Sequence, residues 1–138
     1  MRAGLVAVLL SAMAGAAFAE DTAPAANAAE ARYTTAYQKC LDSPEGQSTA
    51  GMIGCIGAEL EVQDARLNAQ YRKAMADLNP RQKARLQAAE RAWLAYRDAE
   101  CLSYTDEDWG SLSRINANHC VLQMTVERLI ALENYPPE

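Results

Sequence analysis

The sequence predicts an all-α protein, a small antiparallel bundle of three to four helices stapled by two disulfides. Apolar residues recur at spacings of three, four and seven over long stretches, as they do on one face of a helix. No stretch alternates apolar and polar residues in the way that a half-buried strand does. Four cysteines follow an N-terminal export pattern, and these are Cys40, Cys55, Cys101 and Cys120.

The first 20 residues, MRAGLVAVLLSAMAGAAFAE, have the pattern of a secretory signal peptide. Arg2 supplies a basic start, an apolar core runs from Leu5 to Phe18, and Ala17-Phe18-Ala19 is the small-x-small ending that signal peptidase accepts. We therefore expect residues 1–19 to be cleaved after Ala19. The apolar run is too short to span a bilayer and no similar run follows, so we expect no membrane insertion after cleavage. The expected location is the periplasm or the extracellular medium.

The charge of the chain limits its partners. It has 13 Lys and Arg against 18 Asp and Glu, a formal net charge of −5, and removing residues 1–19 takes away one base and no acid, which leaves −6. An acidic domain of this size is a poor partner for nucleic acid or anionic lipid. Its electrostatic complement is a basic protein. The length fits one domain with one core.

The four cysteines are expected to form two disulfides, because an exported chain meets oxidising conditions. A zinc site is the competing interpretation, but no CxxC or HxxxH pair occurs and His119 is the sole histidine. We predict no metal site and no cofactor. Four cysteines allow three connectivities. Proximity along the chain favours Cys40–Cys55 and Cys101–Cys120 without excluding the other two.

The first half of the mature chain contains two predicted helices. Residues 20–31 are rich in Ala, Pro and Asn and predict a flexible lead-in with no packed core to join. A short helix is expected over 32–41, ended by the turn signal Ser43-Pro44-Glu45-Gly46. A long helix is expected from about 49 to 78, with apolar residues at helical spacing. These are Ile53, Ile56, Leu60, Leu67, Tyr71, Met75 and Leu78.

The second half contains two more predicted helices. Asn79-Pro80 is an N-cap followed by a first-turn proline, which predicts a helix start. This helix is expected to reach about 104, with Leu86, Trp93 and Tyr96 on its inner face. The stretch TDEDWGS interrupts it, and a last helix is expected from about 112 to 134. Its apolar residues are Ile115, Leu122, Val126, Leu129 and Leu132.

The run AERAWLAYRDAEC, residues 89–101, places aromatic, basic and acidic side chains on neighbouring helical turns. Trp93 is large enough to anchor the core, and Arg97 would lie at its edge, where a guanidinium must be paired or reach water. The preceding helix offers partners at spacings of three and four. These are Glu61, Asp64, Asn68 and Tyr71. We interpret the set as a structural network in which Arg97 ties the two helices together.

No residue pattern indicates an active site. The chain has no GxSxG, no P-loop and no cysteine left free to act as a nucleophile. Its acids do not lie in the apolar or Gly-rich settings that raise the pKa of a catalytic carboxyl. We therefore expect no catalytic residues and a binding protein rather than an enzyme.

Motif residues occur in a fixed order along most of the mature chain. They are Cys55, Glu59, Asp64, Leu67-Asn68, Tyr71, AERAWLAYRDAEC, Gly110-Ser111, Cys120, Thr125, Arg128 and Leu132. This combination resembles the lysozyme-inhibitor LprI-like domain family over about residues 40–135. Members have Gln-Arg-x-Trp-x-x-x-Arg-x-x-x-Cys, and this chain has Glu90 at the Gln position, which adds a charge to the arginine network. The resemblance implies a helical domain over 32–138, with Arg128 in the structural network.

The resemblance also implies inhibition of lysozyme by protein–protein binding. Lysozymes of the c-type are basic proteins, so an acidic exported domain would be steered toward them. The loop 103–118, held at its base if Cys101 and Cys120 are bonded, is the candidate contact. It offers acids for the rim of an interface and an aromatic anchor, namely Asp106, Glu107, Asp108 and Trp109. In the alternative, Trp109 folds back over the end of the bundle. The turn 43–48 is a second candidate surface.

Two other functions fit the same sequence. A periplasmic accessory or envelope-stress protein that binds another component, without acting on lysozyme, would carry the same residues. An enzyme acting on peptidoglycan would need a concave pocket with two close carboxylates.

The purified chain without residues 1–19 should contain no free thiol, because all four cysteines are predicted to be bonded. Titration with a thiol reagent under denaturing, non-reducing conditions measures this directly. Two or more reactive cysteines would contradict the stapled bundle.

Overall fold

A computed structural model of the chain describes residues 25–136, so the predicted signal peptide and its cleavage site lie outside the described residues. Five helices follow one another: α1 (Ala25–Glu30), α2 (Thr35–Asp42), α3 (Thr49–Ala76), α4 (Pro80–Leu102) and α5 (Gly110–Glu133). Single 3-10 turns cover Glu45–Gln47 and Glu107–Trp109. Residues 25–136 contain no strand, and the predicted all-α class is confirmed. The four predicted helices are present, with ends displaced by less than one helical turn.

Side-chain caps fix where the helices begin. Ser48 precedes α3, and its hydroxyl accepts a hydrogen bond from the Gly51 amide at 3.0 Å. Asn79 precedes α4 and forms a capping box with Gln82, in which each side chain accepts from the other residue's amide at 3.0 Å. These bonds satisfy amides that have no partner within the helix. The start predicted from Asn79-Pro80 is confirmed.

The helices α3 and α5 form the main packed pair and run in the same direction. In the first half of α3, Ile56 packs in one buried cluster with Leu122 and Val126 of α5. Further along, Leu67 packs in a second buried cluster with Leu129. The helix that connects them, α4, runs in the opposite direction, so consecutive long helices are antiparallel. Four of the five inward positions predicted for α5, Leu122, Val126, Leu129 and Leu132, are buried, and the fifth, Ile115, is partly buried against the first cluster.

The contact of α4 with the rest of the bundle is narrower. Along Pro80–Leu102 the buried residues are Leu86, near the start, and Cys101, near the end. Leu86 joins the second cluster, where Trp93 packs as a partly buried neighbour. Much of the surface of α4 is therefore left to solvent.

A buried glutamate joins α2 to α3. The carboxylate of Glu59 accepts hydrogen bonds from the Thr34 amide at 2.9 Å, the Thr34 hydroxyl at 2.5 Å and the Gln63 side-chain amide at 2.6 Å. It lies at the N-terminus of α2, where the helix dipole favours a negative charge. The hydrogen bonds replace the water that Glu59 loses at 2 % exposure.

The helix α1 corrects the expectation of a flexible lead-in. Ala25–Glu30 is helical, and Ala29 is fully buried in the cluster that contains Leu122. Just after α1, Arg32 donates two hydrogen bonds, at 3.0 and 2.6 Å, to the carboxylate of Glu133 at the end of α5. The expectation of a segment without core contacts is wrong over Ala25–Glu30, because one small side chain fits against α5. Residues 20–24 lie outside the described residues.

Both favoured disulfides are confirmed. Cys40–Cys55 joins α2 to α3 with the Cα atoms 5.7 Å apart, and Cys101–Cys120 joins α4 to α5 with the Cα atoms 5.5 Å apart. The turn after α2 packs so closely that a Cβ at Gly46 would overlap the carbonyl oxygen of Cys40. Each disulfide therefore anchors a segment that the α3–α5 pair alone would hold weakly.

Tyr33 is a partly buried residue whose hydroxyl group lies inside the fold. Its ring makes edge contacts with Tyr37 and His119, at centroid distances of 5.3 and 6.2 Å. Its hydroxyl is buried and has no hydrogen-bond partner among residues 25–136. Burial, with smaller contributions from Tyr37 and nearby carboxylates, raises the pKa of Tyr33 to about 12.

Replacing Tyr33 with Phe tests this account. The folded-state pKa lies above the ordinary value of about 10, so the stability contributed by the neutral phenol is present below pH ~10 and is lost as pH rises toward 12. We expect Tyr33→Phe to keep or raise the melting temperature at pH 7, since it removes an unpaired buried hydroxyl. It should also reduce the loss of stability above pH 10.

Thermal melts at pH 7 and urea unfolding at pH 7, 9, 10 and 11 give the comparison, with Tyr96→Phe as the exposed control. Some alkaline loss should remain in the variant, because burial also raises the pKa of Tyr37. A lower melting temperature of Tyr33→Phe at pH 7, or an unchanged loss of stability above pH 10, would contradict a buried, unpaired hydroxyl at Tyr33.

Candidate partner-binding site

Trp93 is partly buried and has two guanidinium groups close to its ring. The Cζ atoms of Arg97 and Arg128 are 5.2 and 5.7 Å from the ring centroid. At these distances the ring quadrupole attracts each cation. The same side chain packs against the cluster of Leu67 and Leu86. Trp93 therefore connects the apolar core to a layer of charged side chains between α4 and α5. We call this set, Glu90, Arg97 and Arg128, the arginine layer.

Arg128 and Glu90 form the ion pair of this layer. The Nε and Nη2 atoms of Arg128 donate to one carboxylate oxygen of Glu90 at 2.9 and 2.7 Å. Both side chains are mostly buried, at 20 % and 14 % exposure. The charge of Glu90 is thus paired across the contact of α4 with α5.

Arg97 does not make the contacts expected from the sequence. Its Nε and Nη2 atoms donate to the Asp98 carboxylate at 3.0 and 2.8 Å, and Nη1 donates to the Thr125 hydroxyl at 3.3 Å. The prediction that Arg97 ties its helix to carboxylates of the preceding helix is wrong. Arg97 and Cys101 are four residues apart and share a face, and the bond to Cys120 turns that face toward α5.

The predicted partners on α3 are divided between two roles. Tyr71 packs against the same cluster as Trp93. Asn68 donates from its side-chain amide to the backbone oxygen and to the carboxylate of Asp64, both at 2.9 Å. Asp64 and Asn68 face Trp93 across a shallow groove of about 270 Å³. The structure therefore brings these residues close to the arginine layer without an ion pair from α3 to Arg97.

The loop that follows α4 is fixed by its own hydrogen bonds. The Asp106 carboxylate accepts from the Asp108 amide at 2.8 Å, and the Trp109 amide donates to the Asp106 carbonyl at 3.3 Å. Gly110 then has a φ of +68°, a conformation that residues with a Cβ rarely adopt. Inside α5, the Ser113 hydroxyl donates to the Gly110 carbonyl at 2.7 Å. The backbone around Trp109 is therefore defined by local chemistry.

Trp109 is exposed over 60 % of its surface, so the alternative in which it folds back over the bundle is wrong. Other large apolar side chains are exposed nearby. Six of the seven such side chains in residues 25–136 fall between 94 and 112, and they are Leu94, Tyr96, Leu102, Tyr104, Trp109 and Leu112. The predicted inward position of Tyr96 is wrong, since this side chain is 58 % exposed.

Acidic residues are mixed with these apolar side chains. Between residues 98 and 113 the sequence contains five acids and no Lys or Arg. Asp106 is engaged in the turn, whereas the Glu107 and Asp108 carboxylates make no hydrogen bond to any residue within 25–136. We call the surface of Leu102, Tyr104, Glu107, Asp108, Trp109 and Leu112 the loop surface.

The sequence pointed to only part of the loop surface. Leu102, Tyr104 and Leu112 were missed, although Cys101 offered a signal. A cysteine bonded to the last helix fixes which side of α4 faces inward, and Leu102 lies about 100° away from it on the helix. The turn 43–48 lies at the same end of the bundle, because α3 and α5 start there in parallel.

Within the described residues, no three His, Cys, Asp or Glu side chains are grouped so that they could hold a metal ion. No helix in residues 25–136 combines the length and the apolar character that crossing a membrane requires.

The sequence matches a known protein family. A model of the family described as lysozyme inhibitor LprI matches residues 40–132. The chain belongs to the LprI family. The matched range contains both disulfides, the arginine layer and the loop surface, and the family implies lysozyme-inhibitor-like binding of a protein partner. No curated protein and no solved structure matches the chain.

The ion pair of Arg128 with Glu90 should stabilise the folded state more than the ion pair of Arg97 with Asp98. In a double-mutant cycle, Glu90→Gln and Arg128→Gln should couple by about 1 kcal/mol, as expected for a mostly buried pair with two hydrogen bonds. Asp98→Asn and Arg97→Gln form the matched control and should couple by less than about 0.5 kcal/mol, because Asp98 is 64 % exposed. Urea unfolding provides the free energies. Equal coupling in both cycles would contradict the layer described here.

Proposed function

We propose that this LprI-family protein is an exported inhibitor of c-type lysozyme that binds the enzyme through the loop surface. One observation carries the proposal. The large apolar side chains left exposed by the fold are concentrated between residues 94 and 112, in a stretch that is also acidic and lacks bases from 98 to 113. Exposed apolar side chains with polar neighbours are typical of an interaction surface.

Trp109 is suited to anchor such an interface. Tryptophan is enriched among the residues that dominate binding energies. Its backbone is already held by the Asp106 turn and by the conformation of Gly110. Little ordering of the chain is then needed on binding, which favours affinity.

The acids support a basic partner. Glu107 and Asp108 lie beside Trp109, are exposed, and make no hydrogen bond within residues 25–136. Charges at the rim of an interface accelerate the encounter with a partner of opposite sign more than they strengthen the complex. The net charge of −5 for the whole chain has the same sign. A basic lysozyme satisfies both the local and the global requirement.

Export places the protein where lysozyme acts. The apolar leader of residues 1–19 has the pattern of a signal peptide, and the two disulfides are of the kind that persist in oxidising compartments. We infer that the mature domain works in the periplasm or outside the cell.

The first test is inhibition itself. The purified chain without residues 1–19 should slow the lysis of a peptidoglycan suspension by a c-type lysozyme, and the inhibition should weaken as salt rises, because exposed charges are screened beyond ~8 Å at physiological ionic strength. Unchanged lysis at a large molar excess of the folded domain would contradict the proposal and would favour a different periplasmic partner.

Variants locate the surface. Glu107→Gln with Asp108→Asn should lower the association rate severalfold at low salt with little change in dissociation. Trp109→Ala should speed dissociation about 30-fold, which corresponds to a loss of ~2 kcal/mol. Asp106 is left intact because its carboxylate holds the turn.

The controls carry the same chemical changes elsewhere. Glu61→Gln with Asp77→Asn removes two exposed acids of the α3 region, and Val62→Ala removes an exposed apolar side chain of α3. Surface plasmon resonance with immobilised lysozyme gives both rates, and thermal melts should show Trp109→Ala to be as stable as the parent. Equal effects of the control and loop variants would show that the loop surface is not the contact.

A further inference from the structure

A second recess lies next to the loop surface, between the end of α4 and the middle of α5. Its cavity volume is about 410 Å³. Tyr96, Glu100 and Tyr104 form one wall, and His119, Gln123 and Glu127 form the other. We call it the α4–α5 groove.

The walls of the α4–α5 groove follow from helical spacing. Tyr96, Glu100 and Tyr104 are four residues apart, and so are His119, Gln123 and Glu127, so each set lies on one helix face or its continuation. The floor includes Cys120 and Met124, and the Met124 sulfur is 3.6 Å from the Cys101 sulfur. The two walls are therefore held at a fixed separation by the disulfide beneath them.

The charge of the α4–α5 groove is of one sign. It is lined by two carboxylates and by no Lys or Arg. Glu127 accepts one hydrogen bond, from the Gln123 amide at 2.9 Å. Glu100 has no ion pair or side-chain hydrogen bond to any residue within 25–136. A cation entering the groove would thus meet a free carboxylate.

The tyrosines narrow the identity of that cation. Tyr96 and Tyr104 are 58 % and 42 % exposed, so their rings are open to a ligand. A guanidinium stacks on an aromatic face, is more weakly hydrated than an ammonium, and matches the planar fork of a carboxylate. We propose that the α4–α5 groove receives an arginine side chain from a basic protein partner, between Tyr96, Tyr104 and Glu100.

This inference rests on the proposed function only for the identity of the protein partner. The choice of an arginine side chain as the ligand rests on the groove alone. Tyr104 belongs both to the α4–α5 groove and to the loop surface. A lysozyme anchored at Trp109 could therefore place an arginine in the groove within the same interface. Specificity for partners with an arginine at that position would follow.

A small probe tests the groove without lysozyme. The mature chain is titrated with N-acetyl-arginine amide and followed by two-dimensional NMR, with N-acetyl-citrulline amide as the neutral probe of the same shape. We expect saturable shifts confined to residues of the α4–α5 groove with the arginine probe and none with citrulline. Shifts elsewhere, no shifts, or equal shifts with citrulline would overturn the proposal.

Substitutions sharpen the result. Glu100→Gln should weaken binding of the arginine probe about threefold to fivefold, the order expected for one exposed ion pair. Tyr96→Ala, at an exposed position that should not disturb folding, should weaken it similarly, whereas Glu61→Gln should leave it unchanged. Dispersed spectra show that each variant is folded. Arginine binding that is insensitive to both groove substitutions would overturn the assignment.

The two proposals can fail separately. Arginine binding in the α4–α5 groove by a protein that leaves lysis unchanged would uphold the groove and remove lysozyme as its partner. Inhibition of lysozyme by a protein that binds no arginine probe would uphold the proposed function and remove the groove from it.

Discussion

The bond between Cys101 and Cys120 is the constraint on which the exposed surfaces depend. Along Pro80–Leu102 only Leu86 and Cys101 are buried, so the last turns of α4 have little apolar contact to hold them. The disulfide closes a segment with a sequence separation of 19 residues, which in the chain-entropy account stabilises the folded state by about 3 kcal/mol. It also holds the end of α4, from which the loop surface begins, against α5, and it lies under the α4–α5 groove.

The scaffold and the proposed contacts use different residues. Trp93, Arg97 and Arg128 lie along the contact of α4 with α5, as do the two cysteines. Several residues that make the chain resemble the LprI family are therefore the ones that hold α4 in place. The exposed side chains of the loop surface, including Trp109 and Glu107, lie outside that contact. This division explains why the family match defines the fold more sharply than it defines the partner.

The sequence predicted what depends on neighbours along the chain. Asn79-Pro80 marked a helix start because capping is local, and the close spacing of the cysteines favoured the two disulfides that form. It failed where the answer depends on which face meets which helix. Helical spacing groups Tyr96 with Trp93, but α4 buries so narrow a stripe that Tyr96 lies outside it. Arg97 turns to Thr125 instead of α3 because Cys101 orients that face. The composition of residues 20–31 gave no indication that one alanine, Ala29, is fully buried.

Hydrogen exchange measured by mass spectrometry, on the mature domain with and without a saturating c-type lysozyme, tests the central claim that the loop surface is the contact. The account predicts slower exchange in peptides covering residues 96–112 and unchanged exchange along the exposed side of α3 around Val62. Protection confined to α3, or to the turn 43–48, would contradict it.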